Sequence, residues 1–361
     1  MSELKATDIV ITALASQTAV GGTASSTVAA ILAGVTPFVC HDYFSGVPDD
    51  PEWDADLPIS FAHVPSIDVF TKGKERFEQL LTPTINEIFA NSHLLRSSLK
   101  QTGFLLATPS YDKAMQGIRL DRQWLTELLS KVGLNALTIK DTLSEGNTGV
   151  ISLVSHASKY IRQGTIDRCI IGGVDSFSFK ERITLFDELF RVKTSRNVDG
   201  FIPGEASSLL MLESAQSALS RNTKILAVVR GIGEGMEPNA FDSELSSTGR
   251  GLADSIRSAC EPINEKHMVA DVFCDLNGES YFSHQWGLMQ SRLAHILSKV
   301  DSLNHPADCV GHIGAASGAL LCVCAAEELK QKNTSHEHIL VSTANENGLH
   351  KTLRLGPYHQ S

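Results

Sequence analysis

No segment of this 361-residue chain is long and apolar enough to read as a membrane span. Its start, MSELKATDIVITALAS, contains acids and an apolar run too short for a secretory leader, so we expect a cytoplasmic chain with no membrane partner. A basic excess is missing too. Lys and Arg number 31 against 41 Asp and Glu, a net charge of −10, which argues against nucleic acid as the main ligand. There is no disulfide framework: the seven cysteines are odd in number, unevenly spaced and mostly inside apolar runs, as reduced packed thiols are. None lies between Cys40 and Cys169. Metal-ligand spacing is also lacking. Cys322 and Cys324 would face different sides of a helix, and His336 and His338 read as loop residues without acidic co-ligands. Neither a metal nor a cofactor is expected. Hydrophobic residues at 42% and charged residues at 20% leave no compositional case for disorder and suffice for a large core.

What is present is a repeat. GNTGVISLVSHASKYIRQGTIDRCIIGGVDS (146–176) and GHIGAASGALLCVCAAEELKQKNTSHEHILVSTANENG (311–348) each give a glycine turn, a small-residue helix, a polar connection and an apolar strand. Read on the turn glycine, Asn147 and His312 occupy matching positions. A helix start offers free N–H groups and a positive dipole end, so two such starts meeting would make a site.

Around the repeat, apolar runs predict strands at 8–15, 103–107, 168–174, 207–212, 225–229, 269–274 and 339–342. Helical periodicity is clearest at 75–99, 121–132, 148–163 and 315–330. The acidic, proline-bearing stretch 49–65 reads as a loop or cap, and 214–221 as a short helical connection between halves. The expected fold class is α/β with two pseudo-repeated halves, 1–216 and 217–361.

This order of blocks resembles the thiolase superfamily, and within it the β-ketoacyl-[acyl-carrier-protein] synthases. IVITALASQTAVGGTASSTVAAILAGVTPF is similar to the family's opening strand, turn and helix. IRQGTIDRCIIGGVDS is similar to the helix end and strand after the nucleophile, and DGFIPGEASSLLMLE to the D-G-F-x-x-G-E-G-A block. KILAVVRGIGEGMEP is similar to the first strand of the second half, and GHIGAASGAL to the block carrying a catalytic histidine. The resemblance implies a thiolase-like fold in stacked αβαβα layers, and dimerisation through an edge strand of the central sheet. It implies trimmed loops as well, since the chain is short for a synthase.

The departures govern the functional expectation. Where the family has its nucleophilic cysteine, counting back from Gly172-Gly173 gives Asn147, and aligning on the turn glycine gives Gly146. Asn277 replaces the histidine of an H-G-T block, the lysine before His312 is absent, and the glycine-rich C-terminal loop reads STANENG. A carboxamide cannot form an acyl-enzyme, so condensation is not expected. The candidate site is therefore Asn147, Asn277 and His312, an oxyanion remnant without a nucleophile, with Asn147 equally readable as a helix N-cap. The expected function is a ketosynthase-like, non-condensing binding or assembly partner. It would act as a homodimer or as a heterodimer with a related synthase-like subunit, with an acyl-carrier protein or a secreted or biosynthetic protein as further partners. The alternative is an acyl-thioester decarboxylase or hydrolase.

Other polar residues carry competing readings. Glu279 is a base or a local cap, His284 a stand-in histidine or a surface residue, and Cys309 a substitute thiol or core packing. Lys180, Arg182, Arg191, Lys193 and Arg196 form a carrier-docking patch or a solvated loop.

Overall fold

The computed structural model describes residues 4–45, 58–96, 99–261, 268–300, 302–331 and 337–358. The first half runs β1 (Ile9–Thr18), α1 (Ala24–Leu32), β2 (Val39–Ser45), β3 (Pro58–Phe61), α2 (Gly73–Ser92), β4 (Thr102–Ala107), α3 (Arg122–Lys131) and β5 (Ile139–Leu143). It continues with α4 (Gly149–Arg162), β6 (Arg168–Ser176), α5 (Lys180–Glu188), β7 (Glu205–Ser214) and α6 (Ala215–Ser220). The second half runs β8 (Ala227–Met236), α7 (Arg250–Cys260), β9 (Met268–Cys274), α8 (Ser280–Arg292) and β10 (Ser302–Asn304). It ends with α9 (Ala307–Val310), α10 (Ser317–Gln331), β11 (Glu337–Ala344) and β12 (Leu349–Gly356).

Ten strands form one mixed sheet in the order β10-β9-β11-β12-β8-β1-β7-β6-β4-β5. Reading outward from the centre, β1-β7-β6-β4-β5 and β8-β12-β11-β9-β10 take their own strands in the same sequence, with the last strand of each half antiparallel to both neighbours. The two halves join through Val10↔Val228 and Ile11↔Ala227.

The layering follows from which faces are apolar. Helices α4 and α10 share one buried cluster with inward residues of both half-sheets, among them Ile11, Ile171, Leu210, Ile339 and Leu353. Apolar on nearly every side, α10 has to be buried all round. Outside it, α2 and α3 cover the far face of the first half through Phe77, Leu80, Trp124 and Leu128. On the far face of the second half, α7 and α8 contribute Leu252, Ile256, Trp286 and Met289. Gly173 on β6 shows how tight the centre is: a Cβ there would lie 2.0 Å from the Ala315 carbonyl oxygen.

DGFIPGE owes its pattern to a buried clamp. The Glu205 carboxylate receives Arg76 Nε (2.6 Å) and Nη2 (2.9 Å) from α2, the Ser176 hydroxyl (2.8 Å) and the Val64 amide (2.8 Å). Such a pair is costly to break, because removing one partner leaves a buried charge.

Several expectations need correction. Residues 58–61, placed in a loop, form β3 and pair with β2; residues 46–57 lie outside the described residues. β5 and β12 gave no apolar run, and α5 was read as a solvated loop or docking patch. In fact Arg182 and Arg191 point inward and are 3% and 7% exposed. His338 is a buried residue of β11, not a loop residue, while His336 lies outside the described residues.

Candidate functional site

Each central helix is entered by a short 3₁₀ turn, Gly146–Thr148 before α4 and Gly314–Ala316 before α10. Both turns start on a glycine with positive φ, 54° and 48°. The preceding residues, Glu145 and Ile313, have nearly identical backbones. Gly146 therefore matches Gly314 and Asn147 matches Ala315. Pairing Asn147 with His312 was a three-residue misregister caused by aligning on Gly311. His312 lies ahead of its turn, its backbone bonded to Ile202 O (2.7 Å) and Gly204 N (3.0 Å).

Asn147, Asn277 and His312 nevertheless line one cavity of about 300 Å³ between the halves. The His312 ring is nine-tenths buried, between Phe177 (4.6 Å between centroids) and Phe201 (4.7 Å). Burial first, then the nearby Arg191 and Arg182 charges, lower its pKa to about 3, so it is neutral at physiological pH. Asn277 Nδ2 lies 2.8 Å from Glu279 Oε2 and 3.5 Å from His312 Nδ1, and Asn277 Oδ1 accepts the Glu279 amide at 3.1 Å. Asn147 does not cap its helix with its side chain. Its Nδ2 donates to Asp275 Oδ2 (2.9 Å), which also receives the Ala344 amide (3.0 Å). Capping falls to Asn345, in the β11–β12 turn: its Nδ2 meets Glu145 O and Thr148 Oγ1, both at 2.7 Å, and its Oδ1 accepts the Thr148 amide at 3.3 Å. The altered glycine loop has thus become a strap between the halves.

Two ion-pair systems, which the sequence reading missed, make up the remaining wall. Arg191 forks onto Glu279 (Nε–Oε1 2.7 Å, Nη2–Oε2 2.8 Å) and also pairs with Glu346. Burial opposes its charge, but the Glu279 and Glu346 partners outweigh it and raise its pKa. Glu279 is therefore committed to Arg191 and is neither a free base nor a side-chain cap; Asp199 caps α8 at Ser280 N (2.6 Å). Arg182 pairs with Asp112 (2.9 Å) and Asp175, whose Oδ2 accepts the Ala315 amide at 2.8 Å. Asp275, with no ion pair among the described residues, is pushed up to about 6 by burial, against the Ala344 and Asn147 hydrogen bonds. Its position, two residues before Asn277 at the end of an apolar strand, was the available signal. His284 is exposed on α8. Cys309 is buried, its thiol pKa raised by burial and by Asp308, and it does not line this cavity.

Comparison with known proteins places the fold. No family model matches the chain. A tetracenomycin polyketide synthase ketoacyl synthase alpha subunit of Streptomyces glaucescens is 28% identical over 33% of this chain and 30% of its own length. The chain thus spans less than a third of that relative. Among solved structures, a type II polyketide synthase acyl-carrier protein in complex with its ketosynthase, AntDE:AntF, matches with a TM-score of 0.80 at 16% identity. That match covers 97% of this chain and 99% of the other. The ishigamide ketosynthase/chain length factor gives 0.73 at 16% identity, covering 98% and 99%. The fold is the mixed α/β, ketosynthase and chain-length-factor-like form of the thiolase group. Among the described residues, no helix is long and apolar enough to cross a membrane.

Proposed function

We propose that this chain is a ketosynthase-like subunit that does not condense acyl groups and acts as a binding or assembly partner of a second polypeptide. One observation carries the reading: the amide donors of Asn147 and Asn277 are both engaged by carboxylates, Asp275 and Glu279. An oxyanion built there would have to displace a carboxylate and then sit beside its charge, the reverse of a preorganised donor site. On the resemblance, the family's thiol position falls on Asn147 or on Gly146, and no cysteine lines the cavity, which supports the reading.

Partners follow from the solved neighbours, one a ketosynthase/chain length factor and one a ketosynthase in complex with its acyl-carrier protein. The proposal brings both modes of association to this chain, with pairing to a second synthase-like chain first. β5 ends the sheet with one edge unpaired among the described residues and its side chains half-buried, a strand that needs cover.

The test is intact-protein mass after incubation with acetyl-CoA, malonyl-CoA and malonyl-loaded carrier protein. We expect no adduct, and stoichiometric co-purification with a synthase-like chain when the two are co-expressed. A covalent acyl adduct would end this reading. The second reading, decarboxylation of malonyl thioesters, draws on His312 Nε2, which has no partner among the described residues. It requires carbon dioxide release that His312→Ala lowers by about a hundredfold or more.

A further inference from the structure

We propose that the cavity binds a small amine carrying a hydroxyl or carbonyl oxygen, and that it rejects the carboxylate-bearing acyl groups of condensing chemistry. The charges decide this. Arg182 already holds Asp112 and Asp175, and Arg191 already holds Glu279 and Glu346. Each guanidinium is thus overcompensated by one carboxylate. Asp275 adds a further carboxylate on the wall with no cation partner, and no lysine lines the cavity, among the described residues. Among the described residues, five carboxylates on or directly behind the wall stand against two guanidiniums, an excess of up to three negative charges that burial of Asp175 and Asp275 reduces without reversing, in a cleft whose low-dielectric walls focus the field. An incoming anion finds no free guanidinium. A cation finds Asp275, whose Oδ1 has no hydrogen bond to another described residue, with the Phe282 ring on the same lining.

His312 supplies the second, independent observation. The Asn277 amide is oriented by its two bonds to Glu279, so Nδ2 is the end that faces His312 Nδ1 at 3.5 Å. Nδ1 is then the acceptor and Nε2 carries the proton. That N–H belongs to a side chain nine-tenths buried on the cavity wall and has no protein acceptor among the described residues. It asks for an oxygen on the ligand.

The probes are aminobutanol and its carboxylate counterpart hydroxybutyrate, titrated calorimetrically into the full chain at physiological salt. We expect saturable binding of aminobutanol and none of hydroxybutyrate. Asp275→Asn, which keeps an oxygen for the Ala344 amide, should weaken aminobutanol by about tenfold or more. Glu346→Gln, at a half-exposed position, should weaken it less and guards against a folding defect in the first variant. Equal or tighter binding of hydroxybutyrate overturns the proposal, as does the absence of saturable aminobutanol binding. Aminobutanol binding unchanged in both variants also overturns it, by assigning the affinity to the general acidity of the chain. The inference rests on the cavity charges and the His312 N–H, not on the missing nucleophile, so its failure leaves the acyl-adduct result standing.

Discussion

Among the described residues, burial holds His312 and His350 neutral, and only the first was visible as a candidate in the sequence. His312 stood out because it follows a glycine turn. His350, on β12, sits in a stretch with no motif, yet it is 2% exposed with neither ring nitrogen hydrogen-bonded. Burial lowers its pKa from 6.5 to about 4, opposed by Glu237. The folded pKa lies below the unfolded one, so the unfolded chain binds the extra proton between these values. The stability His350 contributes is complete above about pH 6.5 and is lost as pH falls toward 4. At about 1.4 kcal/mol per pH unit the loss is at most about 3.5 kcal/mol. Asp275 works the other way: its pKa is raised to about 6, so its contribution is full below its unfolded value and is lost as pH rises through 6. His350→Leu, similar in volume, should therefore flatten the fall in urea midpoint between about pH 8 and pH 5. An unchanged slope would assign the acid sensitivity elsewhere. The site residues missed in the sequence share one cause. Asp112, Asp175, Asp275 and Glu346 are isolated acids without a motif, and only tertiary pairing brings them to Arg182, Arg191 and Asn147, as it shows that Arg182 and Arg191 are buried and not a solvated patch.

At the scale of elements, what could be read was whatever a single face or a close approach dictates. β6 and β7 are buried along almost their whole length and so carry continuous apolar runs (Cys169–Ile171, Leu209–Leu212), and α10 is small and apolar because it lies between two half-sheets. β5, with the sequence IKDTL, is half-exposed and has three polar residues in a row between Ile139 and Leu143, so it gives no strand signal. α5 buries only Ile183 and Phe186 of its apolar residues, among charges, too few for periodicity to register. The repeat misregister has a similar origin: Gly311 and Gly314 are both turn glycines with positive φ, and only the backbone shows which begins the 3₁₀ turn. The two kinds of glycine should respond oppositely to alanine. At Gly314, φ is +48° and a Cβ would lie 2.0 Å from Asp175 Oδ2, so Gly314→Ala strains the backbone and disrupts the Asp175 network. A loss of about 3 kcal/mol or more, or failure to fold, is expected. Gly287 lies in α8 with nothing within 4 Å of a Cβ, so Gly287→Ala should add about 0.4–1 kcal/mol. Urea melts of the pair check both signs, and a neutral Gly314→Ala would remove the case for a tight turn.

For the whole molecule, the repeat in the sequence raises the question of whether the halves are separate folding units. Their backbone links are few: two paired positions between β1 and β8, and a bridge between Pro203 and His312. The side chains argue the other way. α10, from the second half, packs in one cluster with Ile171 and Leu210 of the first, and that cluster also takes in Ile339 and Leu353. Asn345 straps the second half to the start of α4, and Asn147 reaches Asp275 across the same seam. Pulling the halves apart would expose the inner face of each half-sheet together with both central helices, far more apolar surface than two strand pairs could offset. Unfolding should therefore be cooperative across the boundary near residue 216. Trp124 reports from the first half and Trp286 from the second, both buried. Variants that keep only one of these tryptophans, with Trp53 also replaced, should give the same denaturant midpoint by fluorescence, once corrected for the stability cost of each substitution. Two separated midpoints would mean that each half folds by itself. The central helical layer would then be an interface between domains, not a shared core.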